Sequence, residues 1–240
     1  MENLNETTQD TMPVESGILE SKLQRRSFLQ YAGAGAAIVA LTAAGCRKDR
    51  PVVTPSGVTL DFKDDFGVLN YAYALEQLEA AFYIQVASAP PSGFTTVQKN
   101  YFQDVQFHEI AHREFFKKAL GTAAIGSLEV NFSSIDFTSA SSVLAAAQAF
   151  EDLGVAAYNG AGVRIKDTGY LVIAGQIVSV EARHAAWVRD QISNGTFADL
   201  NSLTSLGAVN ATGLDGALTP DKVLAIAGKY VKTQINVINL

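Results

Sequence analysis

Four apolar stripes run along this chain at helical spacing, and each is broken near its middle by glutamate. A helix packed in a bundle buries positions spaced alternately three and four residues apart. That spacing selects Phe66, Leu69, Tyr73, Glu76, Ala80 and Tyr83 in one stretch, and Phe102, Val105, Glu109, His112, Phe116 and Ala119 in a second. It selects Leu144, Ala147, Glu151, Gly154, Tyr158 and Ala161 in a third, and Tyr170, Ala174, Ile177, Glu181, His184 and Val188 in a fourth. A buried carboxylate without a partner is costly or takes up a proton, and several converging on one core also repel. A pair of divalent cations removes both problems.

Glu109-x-x-His112 and Glu181-x-x-His184 each place a carboxylate and an imidazole one turn apart on one helix face. One carboxylate can then bridge two ions while the histidine caps one of them. Two such pairs, with one glutamate from each remaining helix, make up the ligand set of di-iron carboxylate bundles. The expected metal ligands are therefore Glu76, Glu109, His112, Glu151, Glu181 and His184, around two divalent ions. Carboxylate and imidazole suit iron, manganese or zinc. The chain has 3 histidines and 11 glutamates. Chance would put Glu three residues before two of those histidines with a probability of roughly 1% or less. The plainer alternative is two buried histidines, each satisfied by a neighbouring glutamate. His108 lies off the stripe, as a solvated residue or as a partner to a ligand.

The stripes imply helices from about Asp65 to Ala89, Thr95 to Leu120, Ser139 to Lys166 and Tyr170 to Ser193. Pro90-Pro91, Gly121, Asp167-Thr168-Gly169 and Asn194-Gly195 break them. Thr219-Pro220 opens a shorter fifth helix, with proline in the first turn. The first and second helices are joined tightly, as are the third and fourth. The stretch 121–137 is long enough to run the length of the bundle. The expected fold is all-α: two antiparallel hairpins joined by one long crossover, which is the ferritin-like arrangement, plus the fifth helix.

The hairpins also read as copies of one another. Leu75 to Tyr83 aligns with Phe150 to Tyr158, and His108 to His112 with Val180 to His184. This places Glu76 over Glu151, and Glu79 over Gly154, so Glu76 is the better ligand and Glu79 the second choice. Gly154 would leave room for the metal or for a small molecule. Tyr83 and Tyr158 each follow a ligand glutamate by two turns. They are candidates for hydrogen-bonding a ligand carboxylate or for electron transfer, or else are core aromatics.

Residues 1–46 read as an export segment and 47–63 as a flexible tether, leaving 64–240 as the folded domain. Arg25-Arg26 followed by Phe28-Leu29 resembles a twin-arginine (Tat) signal. The apolar run Tyr31–Ala44 is short for a membrane span. Ala43-Ala44-Gly45-Cys46 resembles a lipoprotein cleavage site, although Ala43 stands where a larger aliphatic residue is usual. Cys46 would become the lipidated N-terminus. The expected partners are thus the Tat export machinery and a membrane reached through the lipid anchor, with the protein in the periplasm or cell envelope. An ordinary cleaved signal with an incidental cysteine is the alternative. A net charge of −6 without a basic block gives no case for nucleic acid, and the single cysteine excludes an intrachain disulfide.

Leu-Glu-Gln-Leu-Glu-Ala-Ala-Phe-Tyr, Phe-Glu-Asp-Leu-Gly-Val-Ala-Ala-Tyr, Ser-Val-Glu-Ala-Arg-His-Ala-Ala-Trp and Leu218-Thr-Pro-Asp-Lys-Val223 resemble the ferritin-like superfamily. In particular they resemble exported bacterial ferritin-like domain proteins, relatives of plant desiccation-related proteins. The likeness covers roughly residues 65–232. It implies the fold and a di-metal site, but no substrate. The expected function is a di-iron or manganese–iron protein reacting with oxygen or peroxide, as an oxidoreductase or ferroxidase. The alternative is a non-enzymatic envelope stress or desiccation protein that uses the bundle as a scaffold, with structural metal or none. A lipid anchor on each subunit argues against a closed storage shell, and smaller oligomers are left open. No serine or cysteine nucleophile constellation, phosphate loop or dinucleotide fingerprint is present.

Overall fold

A computed structural model describes residues 57–240. In order, these residues form β1 (Val58–Asp61), α1 (Asp65–Ser88), α2 (Thr96–Leu120), α3 (Ala140–Gly162), α4 (Thr168–Ile192), α5 (Pro220–Ala227) and β2 (Ile235–Ile238). Short 3-10 turns occupy the connections. Each bundle helix begins at a side chain able to accept from its first backbone N–H groups. Asp64 accepts from Gly67 and Ser139 from Ser142. Thr95 and Gln98 form a reciprocal capping box. Gly121, at φ 55°, ends α2 in a conformation that suits glycine, and its N–H donates to the Lys117 carbonyl.

Helix α1 packs along α2, α3 along α4, and α1 against α3. The connection from Gly121 to Ser139 is laid along α1 by two side-chain amides. Asn70 donates to the Ala123 carbonyl (2.9 Å) and accepts from the Ile125 N–H (2.8 Å). Gln77 accepts from the Leu128 N–H (2.9 Å) and donates to the Gly126 carbonyl (3.4 Å). A segment without regular structure needs such partners for its backbone. Further on, Phe132 and Phe137 pack on Phe82. The apolar core lies on both sides of the bundle's middle. Leu69, Tyr73, Phe116, Leu120 and Ile177 fill one end. A larger cluster runs through Tyr83, Phe102, Val105, Ala147 and Val188, and continues beneath β1 and α5.

The fold is the expected helical bundle with a short fifth helix, and the structure amends its edges. Of the stretch 47–63 expected as a tether, only residues 57–63 are among those described. Val58–Asp61 pairs in parallel with Ile235–Ile238, and Leu60 is fully buried. Strands of four residues are too short to carry a period, and the partner lies at the far end of the chain. Asp167 does not merely break the chain. Its carboxylate accepts from the N–H groups of Gly169 and Tyr170, so α4 starts at Thr168. Helix α3 ends at Gly162, short of Lys166. The export segment, with Arg25, Arg26 and Cys46, lies outside the described residues. Among those described, no helix is long and apolar enough to cross a membrane.

Behind α3, the segment before α5 docks with no room to spare. The Leu218 N–H donates to the Ala156 carbonyl (3.0 Å). A Cβ at Gly160 would fall 1.8 Å from the Leu218 carbonyl oxygen. Gly160→Ala should therefore push this segment off α3 and destabilise the domain by about 1–3 kcal/mol. Gly175→Ala is the control, because a Cβ there meets nothing within 4 Å. Its melting temperature should stay level or rise. Equal melting of both variants would show that the contact at Leu218 holds nothing in place.

Candidate metal centre

Each bundle helix brings one glutamate to the same point: Glu76 from α1, Glu109 from α2, Glu151 from α3 and Glu181 from α4. All four are at most 1% exposed. His112 and His184, one turn beyond Glu109 and Glu181, turn Nδ1 toward them. His112 Nδ1 lies 2.8 Å from Glu181 Oε1, 3.5 Å from Glu76 Oε2 and 3.7 Å from Glu109 Oε2. His184 Nδ1 lies 3.2 Å from Glu109 Oε1 and 3.4 Å from both Glu151 Oε2 and Glu181 Oε2. The six residues expected from the sequence are thus brought together.

They fall into two overlapping sets. Glu76, Glu109, His112 and Glu181 form one, and Glu109, Glu151, Glu181 and His184 the other. Within each set the ligand atoms lie within 4.8 Å of one another. Despite these short distances, the inward atoms have no hydrogen-bond partner. This holds for Glu76 Oε2, Glu151 Oε2, both oxygens of Glu109 and of Glu181, and Nδ1 of both histidines. Buried polar groups are otherwise satisfied almost without exception. Eight orphaned donor atoms, all carboxylate or imidazole, suit cations held between them.

The outward oxygens are engaged instead by tyrosines. Tyr83 O–H donates to Glu151 Oε1, and Tyr158 O–H donates to Glu76 Oε1. Each tyrosine reaches across to the glutamate of the other helix, not to the one on its own. Burial pushes both phenols well above their ordinary range, so they remain donors. Glu79 is buried but joins neither set. A Cβ at position 154 would lie 3.0 Å from Glu79 Oε1, so the room left by Gly154 is taken by that carboxylate.

Three features escaped the sequence reading in whole or part. His108 is exposed and is stacked on His184 with its Nδ1 2.9 Å from His184 Nε2, and its counterpart in the repeat is Val180. Tyr101 stacks on Trp187 and donates to the His184 carbonyl (3.0 Å). Arg189 forks onto both oxygens of Asp152 at 2.7 Å and reaches Ser202, tying α3, α4 and the following turn together. The only available signal was position: Asp152 follows Glu151 directly, and Arg189 follows a seam valine.

The ferritin-like domain family matches residues 64–194, a span that holds all four bundle helices. The chain belongs to the ferritin-like domain family. No curated protein matches it.

Without metal, this ferritin-like centre must hold protons. Burial, and then the charge of Glu181, keep the Glu109 carboxyl well above the ordinary range. Glu79 is raised by burial and the same neighbours, and Glu151 is raised to about 7. Burial works against a charged His184, but Glu151 and the adjoining carboxylates outweigh it and push its pKa up to about 12. His112 is raised in the same way by Glu109, Glu181 and Glu76. Groups raised on folding stabilise the protein below their unfolded pKa and lose that contribution as pH rises through the folded one. Burial works against a charged Glu181, but the two imidazoles outweigh it and hold it at about 2, so it acts oppositely, though only below its ordinary value of 4.5. Chelated protein should therefore lose stability between about pH 5 and about pH 8, while metal loading over that range should release protons. Urea unfolding at several pH values and calorimetry in buffers of different ionisation enthalpy check both. A flat stability profile with no proton release would contradict the electrostatic account.

Proposed function

We propose that this chain is an exported ferritin-like di-metal protein whose two ions, iron or a manganese–iron pair, react with oxygen or peroxide in the cell envelope. The observation that carries the reading is the set of orphaned ligand atoms, divided into two groups that share Glu109 and Glu181. In this reading Glu109 and Glu181, common to both sets, would help to hold both ions. Glu76 with His112, and Glu151 with His184, complete the two ends. Tyr158 and Tyr83 hold the outer oxygens of Glu76 and Glu151, leaving the inner oxygen of each free to ligate. When bound, such ions supply one-electron steps and coordination positions for oxygen or peroxide. Apolar layers lie on either side of the centre.

The near-complete enclosure of the carboxylates also fits a second reading, an envelope stress or desiccation protein in which the same ions only staple the bundle. Metal analysis of protein from its native host, followed by rapid mixing of the reduced form with oxygen or peroxide, separates the two. The first reading expects about two ions per chain and an optical change on mixing. The second expects bound ions, no reaction and a lower melting temperature after chelation. His112→Ala and His184→Ala should each lower metal content while the chain stays helical by circular dichroism. Protein that carries no transition metal would remove the first reading and the metal-stapled form of the second.

The export half of the proposal rests on Arg25, Arg26 and Cys46. The Tat route resembles one that moves folded proteins, and a buried di-metal site is a reason to fold first. Metal would then be chosen in the cytoplasm, where competing copper and zinc, which bind such ligands more tightly, are differently supplied. Changing Arg25 and Arg26 to Lys should leave folded, metal-loaded precursor in the cytoplasm. Cys46→Ala should abolish lipid attachment without blocking translocation. Fractionation with metal analysis reads both, and normal export of the double-lysine variant would end this part of the proposal.

A further inference from the structure

His108 belongs to neither ligand set, yet it is bonded to a member of one. It is exposed on α2, while His184 is buried on α4. Its Nδ1 lies 2.9 Å from His184 Nε2, and the two ring planes are within 8° of each other. Two imidazoles at this distance share one hydrogen, and either ring could provide it.

The other nitrogen of His184 decides which ring does. His184 Nδ1 faces Glu109 at 3.2 Å, and Glu151 and Glu181 at 3.4 Å. An imidazole nitrogen that ligates a cation carries no proton, so the single proton of the neutral ring then sits on Nε2. Nε2 therefore donates, and His108 Nδ1 accepts. His108 must keep its own proton on its Nε2. With the order reversed, His184 would present a protonated Nδ1 to the cation and could not bind it. His112 has no such partner from the repeat, because the residue aligned with His108 is Val180, whose side chain neither donates nor accepts.

We propose that His108 is a positioning residue that holds His184 in its ligating tautomer, and that the set Glu109, Glu151, Glu181 and His184 is thereby the tighter of the two and fills first. The inference rests on the di-metal reading above and deepens it by placing its two ions in order. A partner at the far nitrogen fixes the ring's orientation and raises its basicity toward the metal, and losing such a partner commonly lowers affinity about 10–100-fold.

Zinc, which is diamagnetic, is the probe. In zinc-loaded protein labelled with nitrogen-15, a coupling through the hydrogen bond should join His184 Nε2 to His108 Nδ1, with the proton resident on His184. Titration of chelated protein with zinc against a competing chelator should give two unequal steps. His108→Val, which copies the residue of the other hairpin, should weaken the tighter step by about 10–100-fold and bring the two together, with unchanged circular dichroism. His108→Asn, whose amide oxygen can stand in for Nδ1, should recover most of that loss. A merely structural role would neither single out one step nor separate Asn from Val. A proton resident on His108 Nδ1 in the loaded protein, or a His108→Val variant that loads both ions as the unaltered protein does, would overturn the proposal. Failure of the di-metal reading looks different: the unaltered protein would then take up no zinc, while the coupling between the two rings would still be present in chelated protein.

Discussion

Four buried carboxylates share the centre of this bundle without an adequate set of protein donors, and the surrounding structure follows from that. Two like charges about 4 Å apart repel by about 4 kcal/mol even at an effective dielectric of about 20. Several such pairs meet here, since the ligand atoms of each set lie within 4.8 Å of one another. A buried leucine in the same place would contribute about 1.5–3 kcal/mol of favourable burial. A chain selected for stability alone would therefore not place glutamate at position 76, 109, 151 or 181. The arrangement is tolerable only when positive charge sits among the carboxylates, as protons and imidazolium in metal-free protein or as cations in loaded protein. Structural and functional requirements conflict at this layer, and the apolar clusters on either side have to hold the helices together against it.

The repeated hairpin is an economical way to build such a layer. One helix pair supplies Glu, and Glu-x-x-His, and the other supplies the same again. The tyrosines make the relation reciprocal: Tyr83 of the first copy serves Glu151 of the second, and Tyr158 of the second serves Glu76 of the first. Each copy thus completes the other's ligands, and neither hairpin alone would have a satisfied site. Glu79 and Gly154 are the complementary exception. The equivalent positions face each other: a Cβ at position 154 would come within 3.0 Å of Glu79 Oε1, so the Glu79 carboxylate takes up the room that Gly154 leaves.

Most of the bundle was legible because its signals are local. Caps at Thr95 and Ser139, the stop at Gly121 and the proline of α5 each act within a turn or two of themselves. The seam positions of the six clustered residues follow from helical period alone, and the alignment of the two hairpins pointed to Glu76, which joins the cluster, over Glu79, which does not. What escaped depends on partners remote in sequence. Nothing near Val58 announces Ile235, and four residues are too few for an alternating pattern to stand out. Asn70 and Gln77 look like polar interruptions of an apolar helix until the crossover they bind is in place. The direction of Tyr83 and Tyr158 was open for the same reason. Spacing along one helix says which face a side chain takes, but not which neighbour it meets.

The departures from two-fold symmetry carry more information about chemistry than the symmetry does. His184 has His108 stacked beside it, with Nδ1 of one ring 2.9 Å from Nε2 of the other, while the matching residue on the other side is Val180. An imidazole that offers Nδ1 to a metal carries its proton on Nε2, and an acceptor at that atom fixes the tautomer and makes the ligand a better donor. Tyr101 adds a second restraint on the same side through the His184 carbonyl. His112 has neither aid and is the more exposed of the two side chains, at 13% against 5%. The divergence leaves one histidine pinned and the other accessible, so the two ligand sets are built alike in composition and unlike in rigidity.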